Sequence, residues 1–145
     1  DSLKKLAKEL GVEKDILWKS YIADEDLADI YRSATLFAMP SRYEPFGMVA
    51  IEAMACGTPT VITVHGGLKD LIDFGNQGLY ADPHQPEEFG AMIAMAMKYS
   101  ELFNELSVEG AKFARRNFGW TGIAKKMLEI FSRSVNKQNS EMNIF

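Results

Sequence analysis

Residues 35–64 read TLFAMPSRYEPFGMVAIEAMACGTPTVITV, and this stretch decides the fold. Thr35–Met39 is a continuous apolar run stopped by Pro40, the pattern of a strand buried on both faces. Thr60–Val64 (TVITV) is a second run of the same kind. Between them, Gly47–Cys56 reads as a helix of Met, Val, Ala and Ile, ended by Gly57, Thr58 and Pro59. Strand, helix and strand at this spacing imply parallel strands joined by a right-handed helical crossover.

The pattern continues on both sides. Ser2–Leu10 places Leu3, Leu6, Ala7 and Leu10 at helical spacing, with Gly11 as the stop. Ile16–Ile22 (ILWKSYI) is short, aromatic and β-branched, and is expected to be a strand. Asp24 is placed to cap a helix whose apolar stripe is Leu27, Ile30 and Tyr31. After Gly66-Gly67, Leu68–Phe74 reads as a short helix and Leu79–Ala81 as a brief strand before Asp82-Pro83. Three helical stretches complete the chain: Glu87–Tyr99, Glu101–Asn117 and Thr121–Val135. The expected organisation is one α/β domain over residues 1–135, a Rossmann-like doubly wound parallel sheet, with a polar tail at 136–145.

Composition narrows the class of function. The 145 residues are 47% hydrophobic and 25% charged, enough for a packed core. Sixteen Lys and Arg against twenty Asp and Glu leave a net charge of −4. Such a chain is poorly suited to electrostatic binding of nucleic acid or anionic lipid. Its longest apolar stretches, around Met48–Cys56 and Gly90–Met97, are too short to cross a bilayer. Cys56 is the single cysteine, so no internal disulfide forms and a cytoplasmic setting is expected. The chain opens at Asp1, without Met, so a longer natural chain is expected.

In parallel α/β sheets, ligands sit in loops at the carboxyl ends of the strands. Two loops hold that position, Ser41–Gly47 and His65–Gly67. In the first, Glu44 precedes a helix start and Gly47 lets backbone approach a ligand. The N–H groups of Phe46, Gly47, Met48 and Val49 are expected to be free there, at a helix end carrying roughly half a positive charge. Phe46 supplies an apolar wall. Glu52 is the only charge between Gly47 and Cys56. An isolated carboxylate on so apolar a helix either reaches solvent or accepts specific hydrogen bonds. The plain structural reading of Glu44 is a carboxylate favoured by the helix dipole, and that of Glu52 a solvent-facing side chain.

Glu44-Pro45-Phe46-Gly47, then Glu52-Ala53-Met54-Ala55-Cys56-Gly57-Thr58-Pro59, resemble the E-x7-E signature of retaining GT-B glycosyltransferases of group 1. Pro40-Ser41 before it and Val61–Thr63 with Gly66-Gly67 after it match the same pattern, and the likeness runs from about Ile16 to Phe131. The wording is similar to the sucrose-phosphate synthase branch. The resemblance implies the donor-binding part of an enzyme that moves a hexose from a nucleotide sugar, UDP-glucose by expectation. The acceptor implied is a sugar or sugar phosphate such as fructose 6-phosphate. It implies that Glu44, the catalytic carboxylate, contacts donor-sugar hydroxyls beside the reacting carbon. The amides at Phe46, Gly47, Met48 and Val49 would bind the sugar and diphosphate, and Glu52 the ribose hydroxyls. No metal or other cofactor is expected, and neither nucleic acid nor membrane insertion.

The basic pair that neutralises the diphosphate in such enzymes has no counterpart before Ile16, and neither Arg42 nor Lys69 fits it. The acceptor-binding N-terminal domain is expected to belong to the same protein outside these residues. In the family's sheet order 3-2-1-4-5-6, Thr35–Met39 becomes the fourth strand, Thr60–Val64 the fifth and Leu79–Ala81 the sixth. Ile16–Ile22 becomes the third, set off from the fourth by a gap of roughly 14 Å. The 145-residue chain alone is then expected to be inactive.

Other residues carry weaker signals. Asp70 follows the Gly-Gly loop where such enzymes often have Glu. His65 lines the pocket or orders its loop, and His84 is expected at the surface; with Cys56 they form no metal-binding spacing. Met92, Met95 and Met97 read as helix packing. Phe118 and Trp120 read either as core anchors or as the start of a last helix docking toward an acceptor domain. A dinucleotide oxidoreductase is disfavoured, because no Gly-x-Gly-x-x-Gly follows a strand. A non-catalytic nucleotide-sugar-binding remnant or interaction module is the alternative.

Overall fold

The computed structural model describes residues 2–142, with side chains as far as Ser134. Three short strands form its parallel sheet in the order β1-β2-β3. These are β1 (Phe37–Met39), β2 (Thr60–Thr63) and β3 (Leu79–Ala81). Ala38 lies beside Val61, and Val61 beside Leu79. Strands consecutive in sequence are thus neighbours in the sheet, as expected of its fourth, fifth and sixth strands.

All four residues of β2 are buried. Alternation of side chains along the strand sends Val61 and Ile62 to opposite faces, which explains why the run is apolar without a break. Ile62 packs with Met39, Ala50, Ile51, Met54, Leu68, Ile72 and Ala114. Val61 packs with Leu79, Ala81, Phe89, Ala96 and Leu106. The first cluster is roofed by α3 (Met48–Ala55) and the second by α4 (Pro86–Lys98), with α5 (Ser100–Phe118) contributing to both. Met92 and Met95 pack into the second cluster, while Met97 is exposed.

Helix α1 (Ser2–Glu9) ends before Gly11, which has φ +73°, as the stop signal predicts. Helix α2 (Asp24–Ser33) buries Tyr31, but its cap is Ala23, and Asp24 is the first helical residue. An acid there still meets the positive helix end. Leu68–Phe74 contracts to a 3₁₀ turn, Gly67–Asp70.

Four expectations are corrected. Ile16–Ile22 is not a strand, and no ladder joins it to β1. Leu17 and Tyr21 are about four-fifths exposed. Aromatic and β-branched residues make a strand only against a neighbouring strand, and among the described residues none pairs with this segment. Second, β1 is covered on one face and not on both: Met39 is buried, Phe37 half-buried and Ala38 exposed. Third, α6 (Trp120–Met142) continues past Val135, so residues 136–142 of the expected tail are helical; 143–145 lie outside the described residues. Fourth, Trp120 anchors no core, being 86% exposed, and Ile130 and Phe131 are exposed as well. Phe118 does pack on the first cluster.

Helix α5 crosses α3 at Gly110, where an added Cβ would stand 2.8 Å from the Gln77 carbonyl oxygen and 3.6 Å from Met54 Cε. Propensity alone favours alanine inside a helix by about 1 kcal/mol. Here the clash reverses the sign. Gly110→Ala is expected to destabilise the full chain by about 1–3 kcal/mol in urea unfolding; a stabilised variant would show that α5 sits farther from Gln77.

Candidate functional site

The parallel pairing of β1 with β2 does not stop at the strand ends. Glu44 N–H donates to the His65 carbonyl at 3.0 Å, and Glu44 pairs with Gly66 as an isolated bridge. The two ligand-side loops are therefore zipped backbone to backbone. Such an approach leaves no space for side chains: a Cβ on Gly66 would meet the Glu44 carbonyl at 2.8 Å, and one on Gly67 the Pro45 carbonyl at 2.9 Å.

From this bridge the Glu44 side chain turns to the start of α3, and its Oε1 accepts the Gly47 N–H at 3.0 Å. Gly47 takes φ +95°, a conformation that disfavours any other residue. The expectation of a free Gly47 amide is thus corrected, since the carboxylate occupies it, drawn by the positive helix end. For Phe46, Met48 and Val49, no N–H hydrogen bond is made among the described residues. Met48 and Val49 are exposed. The Phe46 ring meets Phe118 edge-on at 5.8 Å, and Phe118 meets Phe113 likewise at 5.7 Å. Phe46 therefore ties the loop to α5.

A cleft of about 350 Å³ opens beside Glu44, lined also by Tyr43, His65, Gly67, Lys69 and Asp70. Lys69 and Asp70 form an ion pair at 3.2 Å. A second cleft, about 450 Å³, lies between α2 and α3 and is lined by Asp24, Leu27, Ala28, Tyr31, Glu52 and Cys56. Glu52 reaches solvent there, as its plain reading predicts, and also has a specific partner: Tyr31 Oη donates to its Oε2 at 3.2 Å. Tyr31 is anchored in turn, because Thr58 Oγ1 donates to its carbonyl at 2.6 Å. Glu52 stands five residues beyond Gly47, about 7.5 Å along the helix axis. One helix thus carries a carboxylate at its mouth, amides without a hydrogen-bond partner among the described residues in its first turn, and a second carboxylate about one and a half turns on.

Two participants escaped the sequence reading. Tyr31 was visible only as part of an apolar stripe. Asp82 shows in the sequence only as the residue after a brief strand, yet His65 Nε2 lies 3.0 Å from its Oδ1, and the His84 N–H donates to the same oxygen at 2.9 Å. The two imidazoles meet edge-on at 5.6 Å. The His84 amide, with His65 beside it, holds the Asp82 carboxyl below the ordinary aspartate range. Cys56 takes no part in this cluster.

Comparison with known proteins shows the family and the fold. The family described as glycosyl transferases group 1 matches residues 1–113. Mannosylfructose-phosphate synthase of Agrobacterium fabrum is 51% identical over 130 residues, covering 90% of this chain and 29% of its own length. Sucrose-phosphate synthase from Thermosynechococcus elongatus superposes with a TM-score of 0.81 at 30% identity, over 93% of this chain and 34% of that one. Anabaena HepE in complex with UDP-glucose superposes with a TM-score of 0.81 at 25% identity, over 91% of this chain and 36% of that one. The chain spans about three-tenths of the length of the curated relatives it matches. Its fold is that of a GT-B C-terminal domain. Among the described residues, no helix is long and apolar enough to cross a membrane.

Burial and then the Glu52 carboxylate push the Tyr31 phenol up to about 12, against an ordinary value of about 10. A raised folded value means that its stabilising contribution is complete below the ordinary value and lost as pH rises through the folded one. In an alkaline titration followed by phenolate absorbance, Tyr31→Phe should remove a component that ionises above the ordinary tyrosine value. Loss of an early-ionising component instead would show that Tyr31 does not face Glu52.

Proposed function

Because this chain belongs to the glycosyl transferases group 1 family, we propose that it is the donor-binding part of a retaining hexosyltransferase. Its acceptor would be a sugar phosphate. The observation that carries the reading is the order of groups along α3: the Glu44 carboxylate, the unbonded amides of Met48 and Val49, then Glu52. A nucleotide sugar presents its parts in the same order, as hexose, diphosphate and ribose.

Each group has work suited to its position. Glu44, fixed by the Gly47 amide, offers negative charge beside the hexose, where the transition state develops oxocarbenium-like positive charge. A carboxylate positioned before reaction needs no reorganisation during it. The amides of Phe46, Met48 and Val49 donate to the leaving diphosphate at the positive end of α3. Glu52 takes the ribose hydroxyls, and the apolar walls at Leu27, Ala28 and Tyr31 receive the base. The transfer itself calls for no metal. The basic diphosphate partners and the acceptor site are assigned to the rest of the protein.

The names of two relatives support the acceptor. Mannosylfructose-phosphate synthase and sucrose-phosphate synthase are both named for phosphorylated disaccharides containing fructose, which favours fructose 6-phosphate. The UDP-glucose held by Anabaena HepE favours that donor. The test is transfer by the full-length protein to fructose 6-phosphate from glucosyl and mannosyl nucleotide donors. Transfer only to unphosphorylated acceptors would overturn the acceptor assignment.

Two substitutions separate the carboxylates. Glu52→Ala should weaken donor binding about ten- to a hundredfold, because hydrogen bonds to a charged group contribute about 1.5–3 kcal/mol. Calorimetry with the folded variant checks this, and unchanged affinity would remove Glu52 from the ribose site. Glu44→Gln keeps shape and loses charge, so kcat should fall more than donor affinity. A raised KM at constant kcat would make Glu44 a binding residue only.

A further inference from the structure

We propose that His65, Asp82 and His84 form a binding site for a divalent transition metal of the zinc type, separate in role from sugar transfer. Their ligand atoms lie within 4.8 Å of one another. The convergence is built by the backbone. Strands β2 and β3 run in parallel register with Thr63 beside Ala81, and Val64 N–H donates to the Ala81 carbonyl at 3.1 Å. His65 and Asp82 are the residues just past those paired positions, so their side chains emerge at neighbouring strand ends. The turn at Asp82-Pro83 brings His84 back, with its amide bonded to Asp82 Oδ1.

The donor set is two imidazoles and one carboxylate, which suits zinc, nickel or copper better than calcium or magnesium. A tetrahedral zinc with bonds of about 2.0–2.1 Å holds its donors about 3.3 Å apart. The His65–Asp82 pair is already at 3.0 Å. Both histidines are exposed, so rotation about their side-chain bonds can complete the closure. The His84 amide on Asp82 orients the carboxylate in the manner of an outer-shell partner. Three protein donors at an open surface leave a further position for water. The metal would replace the shared proton between His65 and Asp82, and clasp the loop after β2 to the loop after β3.

The experiment is a cobalt(II) titration of the full-length protein, purified without a histidine tag, followed by its visible absorption and by displacement with zinc. One equivalent is expected to bind, and zinc should raise Tm through its preference for the folded state. His84→Ala alters an exposed side chain, so its metal-free Tm should equal that of the parent. Its metal affinity should fall at least about tenfold, and the zinc-induced rise in Tm should vanish. Asp82→Ala should behave likewise toward the metal. Absence of saturable binding below about 100 μM, or equal affinity in parent and His84→Ala, would leave only a hydrogen-bonded His–Asp pair and overturn the site.

Discussion

The Glu44 amide donates to the His65 carbonyl, and the arrangement of the candidate site follows from that bond. It carries the β1–β2 pairing beyond the sheet into loops that would otherwise be free to separate. The price is close approach: two successive glycines, Gly66 and Gly67, face the Glu44 and Pro45 carbonyls at distances no Cβ could occupy. With the main chain fixed there, only a short path remains from Glu44 to the start of α3. Its carboxylate then meets the Gly47 amide, where charge and helix dipole attract. Position is set by backbone geometry before any ligand arrives.

Helix α3 has to satisfy two demands at once. Ala50, Ile51, Ala53 and Met54 are buried against the sheet and α5, which requires small or apolar residues. The same helix exposes Met48, Val49 and Glu52. That division explains why Glu52 is alone: the inner-face positions must be uncharged, and Glu52 stands on the short, open outer face. Tyr31 completes the arrangement from α2, since its buried ring needs a partner for the hydroxyl and Glu52 provides one.

Much of this was legible in the sequence, for physical reasons that differ from element to element. Strand β2 was readable because burial on both faces forces an unbroken apolar run. The start of α3 was readable because Gly47 and the charge pattern mark a helix mouth. Ile16–Ile22 misled because strand propensity reports how side chains suit a sheet surface, and the sheet has to be supplied by other residues. Trp120 misled similarly, as an apolar side chain names no partner. The glycosyltransferase likeness of Glu44 and Glu52 rested on spacing, while their actual contacts, with Gly47 and Tyr31, depend on tertiary structure. Asp82 was out of reach altogether: seventeen positions separate it from His65, and only the β2–β3 register brings them together.

His65 serves the two regions through different atoms. Its carbonyl holds Glu44, and its imidazole holds Asp82. The backbone bond survives any side-chain substitution at 65 that leaves the extended loop intact, so the carboxylate keeps its place while the tie to β3 is lost. A side chain bridging adjacent parallel strand ends resists their splaying, and splaying of β2 from β3 would drag the His65 carbonyl away from Glu44. The cluster at Asp82 is therefore linked to the loop that carries Glu44 only through the His65 backbone.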